Sequence, residues 1–326
     1  VRKFLGIIFL LIVGAGLWLA WAIYYPVHPP TNTFVLLHPG WSTKRIAAEL
    51  KNSGVIRSQR AFLFLHYVQP GSSLKAGEYK FDSPANSLQV RERISRGDIY
   101  THNVVIPEGY NIYDIAQVMQ DASLSTREEF LKAVTDNASL IADLDPEAKT
   151  LEGYLFPDTY QFTRTQNLPD MISVMVRRFH DEAKKLGLNT NVRRTVTMAS
   201  IIEKETRVPE ERPVVSSVYY NRLTKNMAFA ADPTVIYAAL VAQKWDGTIN
   251  QSDLQFDSPY NTYKHAGLPP GPIANPGVES LRAAMHPAQT NYYYFVADAQ
   301  GRHKFSNSYD QHVRNVAAYR RALGGK

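Results

Sequence analysis

The longest uninterrupted apolar run lies at the N-terminus, where Arg2 and Lys3 precede a stretch from Phe4 to about Tyr25 that carries no charge. About twenty helical residues at ~1.5 Å each match a ~30 Å hydrocarbon layer, so the run predicts one membrane-spanning helix. Ala20-Trp21-Ala22 has the small-x-small form of a signal-peptidase site. The apolar run is longer than a signal peptide's and continues past that site, which favours an uncleaved anchor. Trp18, Trp21, Tyr24 and Tyr25 form an aromatic belt at its far end. The leading basic pair favours the cytoplasmic side, which puts everything after Pro26 on the far side of the membrane. Pro26 to Thr33, PVHPPTNT, is too rich in proline for a helix and reads as a semi-rigid spacer.

Beyond it the periodicity changes twice and then repeats. FVLLHPGWSTKRIAAEL reads as a short strand, a Pro-Gly turn and a helix opened by Ser42 or Thr43, with Ile46, Ala47 and Leu50 as its buried stripe. About seventy residues later NVVIPEGYNIYDIAQVM repeats the pattern, with Pro107-Glu108-Gly109 as the turn and Ile115, Ala116 and Met119 as the stripe. Trp41 matches Tyr110, and Ser42 matches Asn111. A second helix follows each copy, with Ser58 and Phe62 answering to Thr126 and Phe130. KAGEYKF, Lys75 to Phe81, predicts a strand that closes the first unit. That unit resembles a LysM module, a βααβ fold that binds N-acetylated glycans. Nothing in either copy converges an acid, a base and a nucleophile, so packing and binding are the expected roles.

LEGYLFPDTYQF, Leu151 to Phe162, reads as loop and strand. A helix from Pro169 to about Leu186 follows, with Met171, Val174, Met175 and Phe179 on its core face. From Val192 to Lys204 nothing breaks a helix, and Val196 to Ile202 are apolar, small or hydroxylic nearly all round, as in a buried helix. This helix ends in MASIIEKET. Glu203 and Glu205 point roughly 200° apart, so at least one is expected to enter the protein. A carboxyl group in an apolar pocket has a raised pKa and can hold a proton near neutrality, which suits a general acid for glycoside cleavage. A second carboxylate would come from Asp232, Asp257 or Asp298, and spacing does not choose among them. Asp232-Pro233-Thr234 reads equally as a helix N-cap with proline in the first turn. The long loop DSPYNTYKHAGLPPGPIANPG offers Tyr260, Asn261, Thr262 and Tyr263 for stacking on sugar rings and bonding their acetamido groups. NYYYFVADAQGRHKFS predicts a hairpin turning at Ala299 to Gly301, followed by a C-terminal helix.

Composition narrows the chemistry. The 326 residues contain no cysteine, which excludes disulfides, zinc–thiolate sites and a cysteine nucleophile. His265, His286, His303 and His312 lack metal-ligand spacing, so no metal and no cofactor are expected. G-x-S-x-G, Walker and dinucleotide-binding motifs are absent from the sequence. The net charge of +6 comes from scattered basic residues. It suits an anionic polymer or a membrane surface, with no nucleic-acid partner.

Taken in order, MASIIEKET, SSVYYNRL, ADPTVIYA, SPYNTYKHAGLPPGPIANPG, SLRAAMHP and YYYFVADAQGRHKFS resemble the endolytic murein transglycosylase family (the MltG or YceG-like group). The resemblance runs from Phe4 to the end. It implies an α+β fold with a single N-terminal transmembrane helix (1–25), a linker (26–32), a LysM-like βααβ domain (33–100), a second strand–helix–helix unit (101–165) and a mixed α/β catalytic domain (166–326) built around the buried helix that carries the catalytic glutamate. It also implies an inner-membrane enzyme with its catalytic part in the periplasm. Such an enzyme cleaves the MurNAc–GlcNAc β-1,4 bond within peptidoglycan glycan strands, leaves 1,6-anhydroMurNAc ends, and associates with peptidoglycan synthases (penicillin-binding proteins). The family's essential glutamate falls on Glu205. Glu203, Asn221, Asp232, Tyr260, Asn261, Thr262 and Tyr263 are then supporting or substrate-binding candidates. The competing expectations are a membrane-anchored glycan-binding scaffold without catalysis and a muramidase that uses an Asp232-bound water.

Overall fold

The computed structural model describes residues 2–69 and 73–324. Two compact units emerge, Val1–Asn103 with Gln161–Asn167, and Val104–Tyr160 with Leu168–Lys326.

In the first unit, helix α1 (Arg2–Tyr24) is long and apolar enough to cross a membrane, and most of its side chains are exposed. Strand β1 (Thr33–Leu37) leads to α2 (Thr43–Asn52) and α3 (Gln59–Val68), and β2 (Gly77–Phe81) returns antiparallel to β1 with Val35 opposite Tyr79. The strand–helix–helix–strand order expected from the sequence is therefore present. Ser42 and Ser58 start the two helices by accepting from the N–H groups of Arg45 and Ala61, both at 3.3 Å. Ile46, Ala47 and Leu50 pack with Val35, Leu37, Phe62, Tyr79 and Phe81 in one core. Burying a side chain such as Phe62 contributes about 2–3 kcal/mol. Helix α4 (Ser87–Arg96) lies against α1 and α3, and β3 (His102–Val105) follows.

The proline-rich stretch after α1 is not a free spacer. Val27 and Ala85 exchange backbone bonds of 2.9 and 3.1 Å, and Arg57 Nη2 donates to the carbonyl of Pro26 at 3.0 Å. Its missing amide hydrogens exclude a helix but do not stop its carbonyls from binding the fold.

The second unit opens with the repeat, α5 (Ile112–Asp121) and α6 (Arg127–Asp136). Each begins with a reciprocal capping box, Asn111 with Asp114 and Thr126 with Glu129. Strand β4 (Thr159–Phe162) pairs with β3. Helix α7 (Leu168–Leu186) buries Met171, Ile172, Met175, Val176 and Phe179. Val174, expected on that face, is only half-buried because it lies about 60° off the stripe. Helix α8 (Val192–Glu205) is buried continuously from Thr195 to Ile202. The elements around it are α9 (Arg212–Thr224), α10 (Asp232–Val241), the short α11 (Gln251–Leu254) and α12 (Val278–Met285), of which α9, α10 and α12 touch α8. The expected hairpin forms as β5 (Tyr294–Ala297) and β6 (His303–Ser306), with Phe295 opposite Phe305, and α13 (Tyr309–Gly324) packs on it.

Candidate active site

A helix buried on nearly every side must satisfy its polar side chains internally, and α8 does so. Thr197 Oγ1 donates to the Arg193 carbonyl at 2.7 Å, and Ser200 Oγ donates to the Thr197 carbonyl at 2.7 Å. Ser200 Oγ also accepts the Ile273 N–H at 3.1 Å, which ties the proline-rich loop to the helix. One turn on, Glu203 Oε2 accepts the Gly277 N–H at 2.9 Å. Positions 200 and 203 share a helix face, so two bonds hold the loop along it. The helix stops at Glu205 because Thr206 is extended, and Val208, before Pro209, is extended as well.

The two glutamates have opposite surroundings. Glu203 is nearly inaccessible, and its Oε1 accepts from Arg212 Nη2 at 2.8 Å. Glu108 approaches the same guanidinium at 3.5 Å, and burial followed by the charge of Glu203 raises its pKa. Gly277 leaves room for this cluster, since a Cβ there would sit 1.9 Å from Glu108 Oε1. Glu203 is thus committed to holding elements together.

Glu205 faces another group of side chains. Desolvation is the main influence on its carboxyl and pushes its pKa to about 7. A hydrogen bond from the Tyr219 hydroxyl opposes that rise, the charge of Asp232 adds to it, and Arg222 lowers it. Tyr219 and Arg222 lie three residues apart on one face of α9. The Arg222 guanidinium is fixed by the carbonyls of Phe229 at 2.5 Å and Tyr293 at 2.6 Å. Asp232 sits in the first turn of α10, but the N-cap is Ala231 and no side chain caps this helix. The Asp232 carboxylate instead accepts from the Tyr263 hydroxyl at 2.6 Å. The capping alternative for Asp232 is therefore set aside. A carboxyl that titrates near 7, bonded to a phenol and facing an Asp–Tyr pair, can both give and take a proton at neutral pH.

The remaining candidates divide by what their polar atoms touch. Asn261 is fully buried; its Nδ2 donates to the carbonyls of Leu254 at 3.1 Å and Phe256 at 2.8 Å, and its Oδ1 accepts from Tyr263 N at 3.0 Å. Thr262 is equally buried, bonded to Ala231 N at 3.1 Å and Thr234 Oγ1 at 2.8 Å. These two shape the loop that presents Tyr263. Asn221 Nδ2 holds the carbonyls of Thr290 and Tyr292, both at 2.9 Å. Tyr260 packs against Tyr237 with ring centroids 4.9 Å apart, in a cavity of about 310 Å³ that also includes Tyr113 and Glu152. Glu152 is buried and its pKa is pushed up to about 8, chiefly by desolvation. Its oxygens accept from Ile112 N at 3.0 Å and Asn275 Nδ2 at 3.1 Å.

Asp257 pairs with His265 at 3.0 Å in an exposed loop, and Asp298 accepts the N–H groups of Gln300 and Arg302 in the hairpin turn. His303 pairs with Glu211 at 2.7 Å. Among the described residues no cluster of histidine and carboxylate side chains could hold a metal ion.

Sequence reasoning did not single out Tyr219, Arg222, Arg212 or Glu152. The only sequence signal for the first two was their spacing of three within SSVYYNRL, next to the helix that carries the glutamates.

An N-terminal apolar helix followed by a unit built around this glutamate-ended helix defines a recognisable class: the chain belongs to the YceG-like family, whose model matches residues 35–318. An endolytic murein transglycosylase of Bacillus subtilis is 33% identical over 332 aligned positions, covering 95% of this chain and 91% of the relative. An endolytic murein transglycosylase of Streptococcus pneumoniae is 28% identical over 86% of this chain, which spans 57% of that longer relative. The crystal structure of a YceG-like protein from Listeria monocytogenes aligns with a TM-score of 0.57 and 34% identity, covering 86% of this chain and 98% of that one.

Proposed function

We propose that this chain is a lytic transglycosylase that cuts peptidoglycan glycan strands internally, with Glu205 as its single acid and base. The observation that carries the reading is the place of Glu205 at the end of buried helix α8, with Tyr219 and Asp232 beside a carboxyl whose desolvation pushes its pKa to about 7. The names of the relatives in Bacillus and Streptococcus supply the substrate class. Protonated Glu205 gives its hydrogen to the oxygen that bridges MurNAc and GlcNAc, and the C1–O bond breaks. The positive charge that develops on the sugar is steadied by the muramyl acetamido group and by the Asp232 side chain, which Tyr263 orients at 2.6 Å. Glu205, now a carboxylate, takes the proton from the sugar's own C6 hydroxyl, whose oxygen closes onto C1. The product is a 1,6-anhydroMurNAc end, and water takes no part. One tuned group replaces the carboxylate pair of ordinary glycosidases.

Within the same proposal, residues 33–100 form a LysM-like module, supported by the antiparallel closure of β1 and β2 around two helices. Helix α1 anchors the chain in the inner membrane with the remainder periplasmic, and penicillin-binding synthases are the expected partners in the wall.

Mass spectrometry of purified peptidoglycan digested by the full chain tests the reaction. Anhydro ends at internal cleavage sites are expected. Reducing ends would make the chain a muramidase, and intact strands a scaffold. A second measurement concerns the phenol. The Tyr219 hydrogen bond lowers the Glu205 pKa, so Tyr219→Phe removes a donor to the anion. The alkaline limb of the rate profile is expected to move to higher pH by up to about one unit. A shift to lower pH would contradict the assigned donor role.

A further inference from the structure

Helix α3 exposes three large apolar side chains, with Phe64 48%, Tyr67 70% and Val68 60% accessible. The same helix buries Ala61 and Leu65 against Ala22 and Ile23 of α1, with Leu19 and Leu88 packed alongside. At about 100° per residue, Phe64 lies roughly 60° from Ala61, and Val68 lies about 20° from Ala61 and 60° from Leu65. The exposed apolar stripe therefore continues the face that grips α1.

We propose that α3 lies in the outer, interfacial layer of an anionic phospholipid bilayer, so that the strand–helix–helix–strand module is seated on the membrane by α3 as well as by α1. The proposal rests on α1 being membrane-spanning and adds a second contact to that reading.

Depth is the first argument. If hydrocarbon begins near Phe4, a ~30 Å layer ends about twenty residues later, near Ile23. Leu19 is four residues earlier, so it lies about 6 Å inside that boundary. Leu19, Ala22 and Ile23 are the α1 residues in the cluster with Ala61 and Leu65. Side chains of α3 on the adjoining face are thus level with the outer hydrocarbon and the headgroups. Phe64 and Val68 could avoid lipid only by being covered from outside.

The joint is also stiff. Ser87 Oγ donates to the Ala22 carbonyl at 3.2 Å, and Asn86 Nδ2 donates to the Tyr24 carbonyl at 3.4 Å. The Arg57 guanidinium lies 4.2 Å from the ring of Trp21 and 5.2 Å from that of Tyr25. These bonds stop the module from swinging away on a flexible tether.

Charge gives the third argument. Helix α3 has no acidic residue, and the exposed Arg60 stands one turn before Phe64 on the same stripe. An apolar stripe with a guanidinium at its edge fits acyl chains below phosphate headgroups.

The absence of cysteine from the sequence makes the test direct. Full-length Phe64→Cys and Val68→Cys variants are spin-labelled in a mixed phosphatidylethanolamine–phosphatidylglycerol bilayer. Their relaxation by oxygen and by a nickel chelate is compared with Leu11→Cys in α1 and Gln300→Cys in the hairpin turn. Labels at 64 and 68 are expected to favour oxygen over nickel, at a depth between the two references. Readings like that of position 300 would overturn the proposal while leaving the anchor intact. Protection from both relaxants would overturn it in favour of a covering second copy. An aqueous reading at position 11 would remove the anchor reading and this proposal together.

Discussion

Glu205→Gln is expected to abolish turnover and, above neutral pH, to make the protein more stable. The amide is nearly isosteric and keeps an oxygen for the Tyr219 hydroxyl, but it has no proton to transfer. General acid–base catalysis contributes about two to four orders of magnitude, so a loss of about a thousandfold, or ~4 kcal/mol of barrier, is the expected outcome on glycan strands. The folded-state pKa of about 7 lies above the ordinary 4.5, so the native state holds this proton more tightly than the unfolded chain does. The resulting stability is fully present below about pH 4.5 and is lost as pH rises through 7. At pH 8 the wild-type protein carries a desolvated anion that the glutamine variant lacks. The variant should then be about 2 kcal/mol more stable at pH 8, allowing for partial exposure of the residue, and nearly unchanged at pH 4.5. Thermal unfolding at the two pH values, alongside the digest assay, checks both halves. Retained turnover in Glu205→Gln, with loss in Glu203→Gln instead, would reverse the assignment.

Two residues earlier the sign is opposite. Glu203→Ala would leave the Arg212 guanidinium, 8% exposed, without its 2.8 Å partner and the Gly277 N–H without an acceptor. Removing one member of a buried ion pair costs roughly 3–5 kcal/mol, because the other charge stays desolvated. Glu108, 3.5 Å from the same guanidinium, offsets part of this, so a loss of about 3 kcal/mol is expected at neutral pH. Chemical denaturation measures it. The loop through Gly277 should loosen as well, which hydrogen exchange at Ile273 and Gly277 would report. A Glu203→Ala protein as stable as wild type would sink the structural role assigned to this carboxylate.

Much of the organisation was readable from pattern alone. The apolar run before Pro26, the capping serines Ser42 and Ser58, the repeat with its buried stripes, and the hairpin that turns near Gly301 are local features. Their signals are short-range periodicity and turn chemistry. Helix α8 was legible for the same reason, as was the expectation that Glu203 and Glu205 face different ways. The segment 101–165 was harder. Packing groups residues 104–160 with the helices that follow, where Asn275 reaches back to Tyr110 and Leu155, and no local periodicity announces contacts so distant in the chain.

Short-range pattern alone places the apolar N-terminal run, the apolar stripes of the repeat, and two carboxylates at the end of a buried helix, because each of these signals lies within a few residues. What each carboxylate does depends on the side chains that folding brings around it. The partners of Glu203 are Arg212 and Gly277, the second 74 positions distant in the chain, whereas the pKa of Glu205 is set by burial, Tyr219, Asp232 and Arg222. Desolvation and charge pairing act through space, and residues such as Asn261 and Thr262, polar enough to bind a sugar, were used instead to satisfy buried backbone.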